Sequence, residues 1–289
     1  MTGRPSAPTP RHAPLPEVFR LLALVIPLAL GHAVQAQSIG GANLGASDEP
    51  IEVEASEAIE WRRDEKVYVA RGDARVARGD FTLYADVVTA HYRETQGEGS
   101  EIWRVEAEGS VRVTTSSATV RGDRAVYDVD KDVVVMVGED LRAETAQETL
   151  TAEESLEYWG DRQMVVARGN AVVLQGDKRV QADVLTGHFE ETAAGKQELT
   201  RVEAIGDVRL STKSEFARGD KGVYNLDTEI ATLEGSVRIT RGDNQLNGEF
   251  AEVNLRTGVS RLLGGRSGDG DARVRTLIVP SSEPEANAQ

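Results

Sequence analysis

Arg71-Gly72-Asp73-Ala74-Arg75-Val76 opens a unit that continues through Gly79-Asp80 and Phe81-Thr82-Leu83-Tyr84-Ala85-Asp86. The unit returns as Arg168-Gly169-Asn170-Ala171-Val172-Val173, with Gly176-Asp177 and then Val180-Gln181-Ala182-Asp183. Gly72 and Gly169 stand at the same 97-residue offset as Asp86 and Asp183. Within the unit, Lys66-Val67-Tyr68-Val69 and Ala74-Arg75-Val76-Ala77-Arg78 alternate with period two, and Gly-Asp pairs separate the runs. Alternating runs of this length, broken by glycine, predict half-buried antiparallel strands joined by hairpins. Glycine would supply the positive φ of each turn, and aspartate would bond its own backbone. No window of helical length shows a sustained apolar stripe, so the expected fold class is all-β.

The echo extends well beyond that unit. Arg104-Val105-Glu106-Ala107-Glu108-Gly109-Ser110-Val111-Arg112-Val113 matches Arg201 to Leu210. Arg121-Gly122-Asp123 with Tyr127 matches Arg218-Gly219-Asp220 with Tyr224, and His91 matches His188. Ala58-Ile59-Glu60-Trp61 matches Ser155-Leu156-Glu157-Tyr158 in the same register. A register held from Ile51 to Gly235 without insertion is an internal duplication. A finer beat of glycines runs through Gly72, Gly109, Gly138, Gly169, Gly206 and Gly235. Each interval holds too few strands to bury a face alone, so neighbouring units must stack into one elongated β structure. Repeat 1 is expected over 51–147, repeat 2 over 148–244 and closing strands over 245–280, including Ala272 to Val279. Residues 281–289 are expected to be a disordered tail.

Composition narrows the chemistry. The 289 residues include no cysteine, which removes disulfides, thiolate catalysis and thiolate metal sites. A formal charge of −15 repels a phosphate backbone and argues against nucleic acid as a partner. Arg4, Arg11 and Arg20 precede an apolar run from Leu21 to Leu30, and Val34-Gln35-Ala36 resembles a cleavage site. This predicts a secretory signal peptide over 1–36, followed by a flexible lead-in over 37–50. The apolar run is about half the roughly 20 residues a membrane span needs, and it contains Pro27. Retention as an anchor is the rival reading, which N-terminal sequencing would decide.

No catalytic constellation stands out. The five Arg-Gly-Asp triplets read as turn chemistry rather than adhesion motifs, since Asn170 replaces the aspartate in the echo. His91 alternates with Thr89 and Arg93 on a polar face, without metal-ligand spacing around it. Gly268-Asp269-Gly270-Asp271 occurs once and reads as a loop, not a calcium site. No nucleophile triad, phosphate loop or nucleotide fingerprint is present, so neither an enzyme nor a cofactor is expected. What remains is an apolar face of Val, Ile, Leu and Ala, which either closes as a core or lines an open trough for an apolar ligand. Val67, Val69, Val76 and Leu83 are its candidates by alternation.

The signal segment, Ile51-Glu52-Val53-Glu54-Ala55, the Gly-Asp-Ala-Arg-Val unit and the ending Arg273-Val274-Arg275-Thr276-Leu277-Ile278-Val279-Pro280 resemble the LptA/OstA-like periplasmic lipopolysaccharide transport proteins. LptC and the N-terminal part of LptD share the superfamily. The resemblance implies an antiparallel β-jellyroll, open along one side, that carries lipopolysaccharide acyl chains inside. It places acyl-chain contacts at Ile51, Val53, Val113, Tyr127 and Val129, with repeat counterparts Leu210, Tyr224 and Leu226. It also implies edge-strand pairing with LptC-like and LptD-like jellyrolls and head-to-tail self-association. An acyl chain exposes about 0.8 kcal/mol per methylene to water, so binding is expected to be mainly acyl-chain burial. The alternatives are an anchored LptC-like adaptor of the same bridge and a ligand-free structural β-solenoid.

Overall fold

The computed structural model describes residues 50–95, 99–192, 197–254, 256–257, 259–264 and 274–277. The expected signal peptide, nearly all of the lead-in, the Gly268–Asp271 loop and the tail lie outside the described residues, as does half of the expected strand from Ala272 to Val279.

Eighteen strands form one antiparallel sheet, with no α-helix among the described residues. The chain begins with β1 (Glu52–Glu54) and β2 (Ala58–Arg62), which both pair with β3 (Val67–Arg78). Then come β4 (Phe81–Glu94), β5 (Ser100–Thr114) and β6 (Ala118–Asp128), each paired to its predecessor. The short strands β7 (Val133–Val137) and β8 (Leu141–Thr145) both pair with β6, and β9 (Glu148–Ala152) and β10 (Ser155–Trp159) pair back onto them. Next follow β11 (Met164–Gln175), β12 (Lys178–Glu191), β13 (Gln197–Ser211), β14 (Glu215–Asn225), β15 (Ile230–Arg241) and β16 (Asn244–Asn254). Finally β17 (Val259–Leu263) and β18 (Arg275–Leu277) both pair with β16. Four pairs of short strands therefore act as single broken strands, and the sheet is a meander of fourteen long strands in chain order.

The duplication is present at the level of elements. The bounds of β3, β4, β5 and β6 recur 97 residues later as those of β11, β12, β13 and β14. Every long strand is interrupted near its middle. The pairing register shifts at Arg71/Ala74, Glu108/Val111, Arg168/Ala171, Ile205/Val208 and Glu234/Val237. The interruptions align across the sheet as a crease, and one apolar cluster joins residues from both sides of it. Ala70, Val88 and Leu185 on one arm are buried with Val76, Leu83 and Leu210 on the other. The sheet thus folds upon itself into a two-armed antiparallel jellyroll. Among the described residues β1 and β2 have a register only with β3, and β17 and β18 only with β16, so the trough has two open ends.

The crease corrects the hairpin reading of Gly72-Asp73, Gly122-Asp123 and Gly219-Asp220, which lie inside β3, β6 and β14. Gly79, Gly176 and Gly242 do form the expected hairpin turns. Gly109 and Gly206 show why mid-strand glycine is needed. Their φ values are 80° and 79°, and the next residues, Ser110 and Asp207, also have positive φ. Two consecutive left-handed residues make a bulge that bends the strand and breaks its ladder. A Cβ on Gly206 would also lie 2.1 Å from Asp183 Oδ2, which reaches over from β12. That aspartate packs across the neighbouring strand's bulge instead of capping a turn of its own.

Candidate functional site

Cross-strand register resolves which side chains share the inner face. On the arm beyond the crease, one row runs Val53, Val76, Leu83, Val113, Val120, Ala143 and Leu150. It continues through Val173, Val180, Leu210, Ala217, Ile239 and Leu246. Each residue is directly opposite the next, so thirteen consecutive strands contribute an aliphatic side chain with no polar interruption. From Val76 onward these residues are buried or half-buried, whereas Val53, on the edge strand, is 41% exposed.

The other arm carries a row of different chemistry. It runs Trp61, Tyr68, Ala90, Val105, Tyr127, Val134, Tyr158 and Val165. Gly187, Val202, Tyr224, Ala231 and Val253 complete it. Trp61 stacks on Tyr68 with ring centroids 5.9 Å apart, and its indole N–H donates to Tyr92 Oη at 2.9 Å. Tyr127 Oη donates to Asp132 Oδ1 at 3.0 Å. Burial first, and Asp132 second, push the Tyr127 phenol well above its ordinary range; burial and Glu229 raise Tyr224. These phenols stay neutral and present an apolar ring with a polar tip, suited to the boundary between hydrocarbon and water. Ile59 and Trp61, 58% and 52% exposed, leave the inner face bare at the first-strand end.

Most of the expected contact residues fall on these rows. Val53, Val76, Leu83, Val113 and Leu210 lie on the aliphatic row, and Tyr127 and Tyr224 lie on the aromatic one. Ile51 precedes β1 at the lip and is 40% exposed. Val129 lies in the turn after β6, half-buried, its N–H bonded to Trp103 O at 3.0 Å. Its counterpart Leu226 bonds Thr200 O at 2.8 Å and packs on Tyr224, Ala231 and Val253. Val67 and Val69 are corrections: they lie on the outer face, opposite Arg62 and Glu60, although both are buried. Val67-Tyr68-Val69-Ala70 is apolar at every position, so alternation could not choose a phase. The aromatic stack and the core position of Ala70 choose the even one.

Several inner residues escaped the sequence reading, among them Tyr68, Val120, Leu150, Ala217, Ile239 and Leu246. Two others were within its reach, because Val173 and Val180 are Val76 and Leu83 displaced by the repeat offset. His91 does lie on the outer face, where its Nε2 is 3.6 Å from Glu106 Oε1. His188 and Glu203 reproduce that spacing. No grouping of His, Asp or Glu among the described residues could hold a metal ion. None of the helices formed by described residues is long and apolar enough to cross a membrane.

The family described as LptA/(LptD N-terminal domain) LPS transport protein matches the chain twice, over residues 52–158 and 154–259. The chain belongs to this family. The two matches correspond to the duplication, and the family is one of transport proteins rather than enzymes. Among curated relatives, an uncharacterized protein of Rhizobium meliloti (strain 1021) is 28% identical over 120 residues, 39% of this chain and 64% of its own length. The LPS-assembly protein LptD of Nitrosomonas eutropha is 29% identical over 83 residues, 29% of this chain and 10% of that protein. The chain therefore spans less than two thirds of either relative. The crystal structure of LptH, described as the LptA-homologous periplasmic component of the lipopolysaccharide transport device of Pseudomonas aeruginosa, is 17% identical. It covers 46% of this chain and 95% of its own, with a TM-score of 0.39.

Proposed function

We propose that this LptA/LptD N-terminal family member is a periplasmic lipopolysaccharide carrier, whose inner face shields acyl chains on the way to the outer membrane. The observation that carries this reading is the unbroken aliphatic row from Val53 to Leu246. A continuous apolar track lets a chain advance without meeting a polar step, while the aromatic row supplies a lip facing the interface. Burying each methylene contributes about 0.8 kcal/mol, so a chain is held without a covalent or ionic anchor and remains releasable. The open ends of the trough would pair with LptC-like and LptD-like jellyrolls, or with another copy of this chain, by strand addition.

The test is a photo-crosslinking residue at Val113, with Arg112 as control. Val113 is on the aliphatic row; Arg112 is opposite Arg121 and Tyr84 on the outer face, its guanidinium 4.0 Å from the Tyr84 ring centroid. Lipopolysaccharide should be captured from Val113 and not from Arg112. Equal capture from both, or from neither, would refute the carrier reading.

A further inference from the structure

The two repeats share their fold but differ at the lip of the aliphatic arm. Two residues along the chain from Val53, Leu83 and Val120 of the aliphatic row, the first repeat has Ile51, Phe81 and Ala118. The residues 97 positions later are Glu148, Lys178 and Glu215. All three lie on the same inward phase as Leu150, Val180 and Ala217 of the core. Gln175 and Lys178 pair across a hairpin, and Gln175 Nε2 donates to Glu148 Oε1 at 3.0 Å. Farther along, Glu215 is opposite Arg241, which is in turn opposite Asn244. An apolar lip in one repeat has become a polar shelf in the other.

Glu215 supplies the second observation. It is only 5% exposed, and its Oε1 is 3.7 Å from Arg241 Nε. Its Oε2 is buried and has no hydrogen-bond partner among the described residues. A buried carboxylate oxygen without a partner is costly, and Ala118 shows that the fold tolerates a small apolar residue at the equivalent place. The free oxygen therefore points to a ligand group that completes it. Ionised, the carboxyl needs a donor; protonated, it needs an acceptor. An alcohol hydroxyl is both, and a methylene is neither.

We infer that the second-repeat lip, centred on Glu215 with Arg241 and Asn244, recognises a hydroxyl group carried on an acyl chain. It thereby selects hydroxylated over plain chains. This rests on the acyl-carrier reading above, and the experiment separates the two. The intact protein is titrated with methyl myristate and with its β-hydroxy analogue, each displacing a fluorescent fatty acid. Wild type should prefer the hydroxylated ester by roughly fivefold to tenfold, as one added buried hydrogen bond implies. Glu215→Ala, which copies Ala118, should abolish the preference and leave affinity for the plain ester unchanged. Glu215→Gln, which keeps a donor and an acceptor, should retain it. Equal affinity of wild type for both esters, or a preference that survives Glu215→Ala, overturns the shelf while leaving the carrier reading intact. Binding of neither ester overturns the carrier reading and the shelf with it.

Discussion

Gly206 and Gly176 look alike in sequence, since each precedes an aspartate, and they do different jobs. Gly176 turns a hairpin with φ of 56° and open space where a Cβ would go. Gly206 sits at the crease, where a Cβ would meet Asp183 Oδ2 at 2.1 Å. Gly176→Ala should cost about 1 kcal/mol, the ordinary penalty of left-handed alanine. Gly206→Ala adds a steric conflict and should cost about 3 kcal/mol or more, read as the shift in urea midpoint. Glu215 is the other residue with a sharp expectation. Burial raises its pKa above the ordinary 4.5, only partly offset by Arg241. The folded state thus holds the proton more tightly than the unfolded chain. Its stabilising contribution is present below pH 4.5 and is lost as pH rises through the folded value. Glu215→Gln should therefore be more stable than wild type at neutral pH, by on the order of 1 kcal/mol. That advantage should close on acidification; thermal melts at the two pH values measure it.

Elements show both the reach and the limit of reading alternation. Existence and type of strand follow from period-two runs with glycine between them, and β3 to β6 appear again as β11 to β14 where the echo requires. Face is harder. The crease skips two residues of β3, which keeps its even inward phase from Tyr68 to Val76, but only Asp86 of β4, whose inward phase changes midway from Val88 to Ala85 and Leu83. Where polar residues mark the outer face, as at Arg75 and Arg112, phase is legible. Where both faces are apolar, as at Val67 to Ala70, only the partners decide, and those partners come from other strands. The same blindness hid Gly72-Asp73 as a mid-strand bulge, because a bulge and a hairpin ask the same φ of glycine. A crosslinker at Tyr68 should capture lipid, whereas one at Val69 should not. The reverse pattern would mean that the inward phase of β3 has been misassigned.

At the scale of the molecule, the duplication was the most legible feature, because it needs only identity at a fixed offset. Divergence between the copies was legible too, as Ile51, Phe81 and Ala118 against Glu148, Lys178 and Glu215. Its meaning was not, since nothing local says that these positions share a lip. The open ends remain the most consequential property of the whole. Among the described residues the first strand pairs only with β3 and the last only with β16, leaving backbone donors and acceptors at both ends. Ile59, Trp61 and Val53 at one end, with Leu277 and Val259 at the other, stay exposed beside them. Association of the chain should rise with concentration, seen by light scattering from micromolar to millimolar. A strict monomer throughout that range would show that the ends are blunted.

The crease has a further consequence. Because every long strand bends at the same place and hands its rows to the next, strands add along one axis at about 4.8 Å each. A copy of 97 residues, six long strands, lengthens the structure by roughly 29 Å without calling for a new core. Such a fold grows as a measuring rod grows, by whole graduations. The distance it spans can be set by how many times the gene segment has been copied.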